Sequence, residues 1–376
     1  MPPSKEEFMD PLIADLCVAK MWQAIVEHRW YAFFTKVVDN NRVADQQKLQ
    51  NAVNIATRHA YNLLVELYGY GNLDVATHLS VKALVDTILL CDNSGSMQLT
   101  DRSERGDIEM SRWEALQLVA KDDSFVGSMF DSDGFQLDLM TGDPKLRNIC
   151  VTTNVNGTRT YVLPDPKTEG KFAILLEERG VPCGFRGLTS QDQVEQIFRC
   201  GIGADYGTPT AEAIWRIYDT QVRQKALSGT LEKPIILTIY TDGKPSGRNV
   251  TTEIRKIKKE LRNTVYGDHA MLFQIVQCGK EQSVNAWFEN LDRDEELDQF
   301  GKPKYPNDGI GDIVDCVSDY EIELAQVLEK NPGCDWFDVP YYRVKCRVGC
   351  AIRTLDQSDE QNISSTISGF FSKLRF

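Results

Sequence analysis

The sequence predicts an α/β fold, a doubly wound and mostly parallel sheet with an N-terminal helical hairpin. Three observations carry this. From residue 85 onward, short apolar runs of strand length alternate with longer helical patterns. Ahead of them lie two amphipathic stripes of helical period. The composition, 42% hydrophobic and 26% charged over 376 residues, is that of a globular chain long enough for a main domain with appendages.

In the first 80 residues, Val26, Trp30, Phe33 and Val37 step by four, three and four, and Leu49, Val53, Ala56, Ala60, Leu63 and Leu67 repeat the spacing. Asp39, Asn40 and Asn41 separate the stripes, so two helices joined by a polar turn are expected, with a short third helix over Val75 to Leu84. The main domain is placed at 81–332. Its expected strands are Val85 to Cys91, Phe135 to Met140, Ile235 to Thr241, Met271 to Gln277 and Ile313 to Val317. Helical patterns cover Ser111 to Ala120, Pro209 to Gln224, Thr251 to Arg262 and Tyr320 to Glu329. An insertion around 143–200 interrupts the alternation. Within it Cys150 to Val162 alternates around Asn156-Gly157, which predicts an antiparallel hairpin at the sheet edge. A C-terminal extension, 333–376, carries one more hairpin pattern at Tyr341 to Ile352 and Ile367, Phe370, Phe371 and Leu374 at helical spacing.

Charge and hydropathy narrow the function classes. Lys plus Arg is 42 against 55 Asp plus Glu, and a net charge of -13 opposes a grip on phosphate backbones, so nucleic acid is not an expected partner. The longest apolar runs fall far short of the roughly 20 residues a bilayer span needs. The N-terminus carries Glu6, Glu7, Asp10 and Asp15 where a secretory signal is cationic and then apolar, which reads as an intracellular, cytoplasmic protein. In that compartment the sequons at Asn156, Asn249 and Asn362 carry no glycan. Of ten cysteines, Cys91 and Cys278 end apolar runs as small core residues, and Cys334, Cys346 and Cys350 lack the spacing of a zinc site.

The chemistry concentrates at Asp92-Asn93-Ser94-Gly95-Ser96, directly after the first expected sheet strand. Open α/β sheets bind ligands above the carboxyl ends of their strands. Two further loops are expected there: Tyr206-Gly207-Thr208-Pro209-Thr210, which opens a helix, and Thr241-Asp242-Gly243, which closes a strand. Asp92, Ser94, Ser96, Thr208 and Asp242 are all hard oxygen donors, suited to Mg²⁺, Mn²⁺ or Ca²⁺. Neutral hydroxyls in the direct shell leave the cation charge incompletely cancelled, so it seeks an outside anion. Gly95, Gly207 and Gly243 leave the backbone room to approach.

Together these three pieces, in this order and on these elements, resemble the metal-ion-dependent adhesion site of the von Willebrand factor A (VWA) domain family, over roughly residues 85 to 330. The resemblance implies that Ser94, Ser96 and Thr208 ligate a divalent cation through hydroxyls and that Asp92 and Asp242 hold it mainly through water. It also implies that a carboxylate of a bound partner takes the sixth position. The expected function is therefore a metal-dependent interaction module docking a protein that presents Asp or Glu. Asp205, three residues before Thr208, is an internal carboxylate able to shut the site, and Lys244 could offset its acidity.

Two alternatives stand beside it. One is a structural subunit whose metal only stiffens three loops. The other is a Mg²⁺-dependent phosphotransfer enzyme with Asp92 as nucleophile, which the Asp-Asn-Ser sequence disfavours and for which no catalytic histidine or cysteine arrangement accompanies the site. Singly, Ser94 and Ser96 could merely satisfy turn amides. Arg105-Gly106-Asp107 reads as a chance match. Asp131-Ser132-Asp133-Gly134 reads as a turn into the next strand, and Gly201-Ile202-Gly203 misses the dinucleotide fingerprint.

Overall fold

The structure, a computed structural model, describes residues 11–38, 41–62, 80–102, 109–130, 133–155, 157–203, 207–243, 245–278, 284, 287–288, 291 and 309–317. The expected helix at 320–329, the tail from 333, Asp205, Lys244 and the Arg105-Gly106-Asp107 tripeptide lie outside the described residues.

Helix α1, Pro11–Glu27, and helix α2, Gln46–Asn62, flank a β-hairpin of β1, Thr35–Val38, and β2, Asn41–Ala44. The helical hairpin expected here is therefore corrected. The first stripe breaks at Arg29, which takes a left-handed φ of 55°, and passes through a short 3-10 turn at Trp30–Ala32. Thr35, Val37, Val38 and Val43 are β-branched residues flanking a polar two-residue connection, which favours a hairpin over a helical turn. Trp30 is fully buried, and its indole N–H donates to the His269 carbonyl at 2.7 Å, fixing this segment to the rest of the chain.

The sheet is built from β3 (Asp86–Cys91), β6 (Phe135–Leu139), β7 (Val151–Val155), β8 (Thr158–Pro164), β9 (Phe172–Glu178), β10 (Val181–Leu188), β11 (Ile235–Thr241), β12 (Met271–Gln277) and β13 (Val314–Val317). A separate two-stranded ribbon pairs β4, Thr100–Arg102, with β5, Glu109–Ser111. The nine strands run β13-β12-β11-β3-β6-β10-β9-β8-β7. From β13 to β6 every pairing is parallel, and from β6 to β7 every pairing is antiparallel. The α/β class holds, but the sheet is mixed rather than mostly parallel. The residues that change this balance are those of the 143–200 insertion, whose last strand β10 pairs with β6 and so extends the same sheet.

Helices cover both faces. The ladder sets Ile88, Leu90, Leu237, Ile239, Phe273 and Ile275 toward one side, where they pack with α1, α2, α5 (Thr210–Ile217) and α7 (Val250–Arg262). Leu89, Cys91, Leu137, Leu139 and Tyr240 face the other, against α3 (Arg112–Phe130) and α4 (Gln191–Arg199). Strands β11 and β12 are buried at all seven positions, as expected where parallel strands are covered on both sides. The helical pattern after Pro209 is not continuous: α5 gives way to a π turn at Tyr218–Arg223 before α6, Gln224–Ser228, which ends at Gly229 with a left-handed φ of 73°.

Candidate metal centre

The chain leaves β3 at Cys91 and enters Asp92 still on the ladder, because the Asp92 N–H donates to the Tyr240 carbonyl at 2.9 Å. On the neighbouring strand the Thr241 carbonyl accepts from Cys278 N–H at 2.8 Å. The loops after β3 and β11 are thus anchored on the sheet's carboxyl rim, side by side. Asn93 ties in a third strand: its amide donates to the Thr141 carbonyl at 2.9 Å and its oxygen accepts from Thr141 N–H at 3.0 Å, just beyond β6.

Four of the five expected site residues meet there. Asp92 is fully buried; its Oδ2 accepts from the Thr241 hydroxyl at 2.6 Å and its Oδ1 from Ser94 N–H at 2.8 Å. Ser96 donates its hydroxyl proton to Asp242 Oδ1 at 2.8 Å, so in the 3.1 Å contact between Ser94 Oγ and Ser96 Oγ it is Ser94 that donates. A directed chain of oxygens therefore runs from Ser94 through Ser96 to Asp242.

The other oxygen of Asp242 accepts from Arg112 Nη1 at 2.8 Å, with 8% and 0% of the two side chains exposed. Arg112 opens α3, whose start is fixed by a capping box: Ser111 N–H donates to Glu114 Oε2 at 2.8 Å while Glu114 N–H donates to Ser111 Oγ at 3.2 Å. The Ser-x-x-Glu spacing is legible in the sequence as a helix start. Nothing in it announces that the residue between reaches Asp242, 130 positions away.

Thr208 stands apart. Its side chain is buried but makes no hydrogen bond to the other four residues. Its carbonyl accepts from Thr210 N–H at 2.9 Å and from Ser246 N–H at 2.8 Å, so its loop hangs on the one that follows Asp242. The space expected at the glycines finds limited use: a side chain at Gly243 would meet nothing within 4 Å, and one at Gly207 only Ser246 Oγ at 3.3 Å.

The electrostatics of the rim favour added positive charge. Among the described residues two buried carboxylates, Asp92 and Asp242, face one guanidinium, that of Arg112. Burial pushes the Asp92 carboxyl above its ordinary pKa, hydrogen bonds from Thr241 and Ser94 oppose the rise, and the charge of Asp242 adds to it. The donor set fits a small hard cation. Adjacent oxygens of a six-coordinate Mg²⁺ at about 2.1 Å lie roughly 3 Å apart, close to the 3.1 Å and 2.8 Å separations along Ser94, Ser96 and Asp242. Among the described residues no group of three or more His, Cys, Asp or Glu could hold a metal. Any metal here relies on hydroxyls beside two carboxylates.

No protein-family model matches the chain, and no curated protein matches it. Among solved structures, it is similar to proximal thread matrix protein 1 from the mussel byssus, with 14% identity and a TM-score of 0.31 over 65% of this chain and 46% of that one. It is also similar to the Ro (RSR) protein of Deinococcus radiodurans, with 11% identity and a TM-score of 0.31 over 88% of this chain and 53% of that one. The chain spans about half the length of these structures. At these values the likenesses carry no argument about function.

Proposed function

We propose that the chain is a metal-dependent protein interaction module of VWA type, with a doubly wound core. In this reading a divalent cation, Mg²⁺ or one of Mn²⁺ and Ca²⁺, sits on Ser94 and Ser96, is balanced by Asp92 and Asp242, and presents an open position to an Asp or Glu of another protein. The observation that carries the proposal is the part-buried relay Ser94–Ser96–Asp242 beside Asp92, in which two loops from adjacent strands put hard oxygens at coordination spacing. Thr208 is the fifth ligand in this reading, delivered by the loop joined to Ser246. The cation would supply the electrophile; the chain's own residues hold and orient it, Ser94, Ser96 and Thr208 through hydroxyls and Asp92 and Asp242 mainly through water. A cytoplasmic location belongs to the same reading.

An array of Asp- and Glu-bearing peptides, with Asn and Gln counterparts, tests it. Selective binding to the acidic peptides in Mg²⁺, lost with a chelator and in Asp92→Asn, is the expected result. Binding indifferent to both would end the proposal.

A second reading has its own observation. Arg112 already gives Asp242 a buried counter-ion, so the rim can serve as a staple between β11 and α3 without docking anything. The two readings separate in Arg112→Gln. The docking reading expects tighter Mg²⁺ binding, because a competing cation is gone. The staple reading expects loss of stability with Mg²⁺ affinity unchanged.

A further inference from the structure

Strand β7, Val151–Val155, is one of the two edge strands of the nine, at the end opposite β13. Edge strands present unpaired N–H and C=O groups, and natural sheets blunt them with Lys, Pro, a bulge or a covering segment. Among the described residues β7 has none of these. Its sequence, Val-Thr-Thr-Asn-Val, has no charge and no proline. Its register with β8 is regular across five pairs, without a bulge. It is uncovered, with Val151 51% exposed and Thr152 and Asn154 also exposed. In a chain of net charge -13 this is a neutral strip made largely of β-branched residues.

The register also fixes which backbone groups are open. Val155 pairs with Thr158 across the two-residue connection 156–157, so this is the closing hydrogen-bonded pair, and by alternation Thr153–Thr160 and Val151–Val162 are hydrogen-bonded as well. Thr152 and Asn154 therefore turn their N–H and C=O groups outward. The strip reads nearly the same in both directions about Thr153. Set antiparallel against itself, it places Thr152 opposite Asn154 of a second copy with both backbone bonds exchanged, and the same again on the other side of the axis. Val151 then meets Val155 of that copy, and Thr153 meets Thr153 at a close, non-hydrogen-bonded position. Paired β-branched residues and paired threonines stabilise such contacts.

We infer that β7 is a self-complementary docking edge whose partner is a second copy of this chain, joined antiparallel about a two-fold axis through Thr153. The strip carries no charge to repel its copy, and every outward backbone group finds a partner in the symmetric pairing. Five residues make less than a standard interface, so the dimer is weak and its population rises with concentration. Arg147, the nearest cation ahead of the strand, is already paired with Glu177 at 2.7 Å.

Sedimentation velocity of the full chain up to about 300 µM tests this, since an interface below standard size dissociates at low concentration. Asn154→Pro removes an N–H that points only outward and is tolerated on an edge strand. It is expected to weaken self-association at least tenfold with an unchanged circular dichroism spectrum. Thr152→Lys places a charge on the same edge, is expected to act alike, and decides the matter if the proline disturbs the hairpin. Thr153→Cys adds a geometric readout, because cross-strand Cβ atoms at such a position are about 4.5–5.5 Å apart. Under glutathione disulfide it is expected to yield a covalent dimer at a rate well above wild type and above Thr152→Cys. A wild-type chain that stays monomeric throughout, association unchanged in Thr152→Lys, or a different protein occupying the edge of a monomeric chain would each overturn the inference.

Discussion

The two halves of the nine-stranded sheet handle polar groups in opposite ways. In the parallel half, β11 and β12 are buried throughout, with the Thr238 hydroxyl donating to Gln274 at 3.3 Å inside the sheet, and a polar cluster sits on the carboxyl rim, where Asp92 accepts from Ser94 and Thr241 and Asp242 pairs with Arg112 out of water. In the antiparallel half, β8 and β9 mix buried and exposed positions, and the edge strand β7, with no buried position, meets solvent with uncharged residues. The contrast shows where the fold accepts a cost. Burying two carboxylates against one guanidinium is unfavourable unless something else neutralises the site, whereas a neutral wing asks little of the core.

The largest expected effect breaks that contrast at Asp242. Asp242→Ala leaves Arg112 buried without this counter-ion, and urea unfolding should show a loss of about 3–5 kcal/mol. Thr152→Ala on the wing should stay within about 0.5 kcal/mol. Equal losses at the two positions would show that the rim carries no special burden.

The seam between the halves gives the next effect. Asp138 on β6 is 2% exposed, and burial raises its pKa to about 6 against the pull of Arg216, Gln136 and Cys183. Because the folded pKa is raised from 3.8, folding favours the protonated form; that contribution is complete at low pH and is lost as the pH climbs from about 4 to about 6. The effect of Asp138→Asn on stability should therefore be more favourable at pH 7.5 than at pH 4, by on the order of 2 kcal/mol. Thermal unfolding at both values checks this, and an equal shift at both would contradict it.

The smallest effect belongs to the wing. Gly157 closes the β7–β8 hairpin with φ of +80°, and a Cβ added there would meet nothing within 4 Å. Gly157→Ala should cost about 1 kcal/mol through backbone strain alone. A larger loss would mean that the hairpin is coupled to the core more tightly than its exposure suggests.

The same contrast explains what could be read from the residues. Strands β11 and β12 were legible to the residue because strands buried on both faces are mostly apolar, interrupted in mid-strand only by Thr238 and Gln274. The Asn156-Gly157 turn likewise marked the edge hairpin. The return of β10 onto β6 was not legible, since strand pairing depends on partners distant in the chain. Val26 to Val37 kept helical spacing yet contain a 3-10 turn and a strand, because β-branched residues and a left-handed Arg29 outweigh periodicity there. At the rim, Asp92, Ser94, Ser96 and Asp242 could be named from their loops. Arg112 and Thr241 escaped assignment because their roles exist only once α3 and β11 lie beside β3.

The central claim is that these oxygens cage a hard cation. The most direct measurement is a crystal grown with Mn²⁺ and examined by anomalous diffraction. The account predicts one strong peak about 2.2 Å from the hydroxyls of Ser94 and Ser96, with Thr208 drawn in and Arg112 displaced from Asp242. A map without a peak there, with Arg112 still on Asp242 at saturating metal, would contradict it.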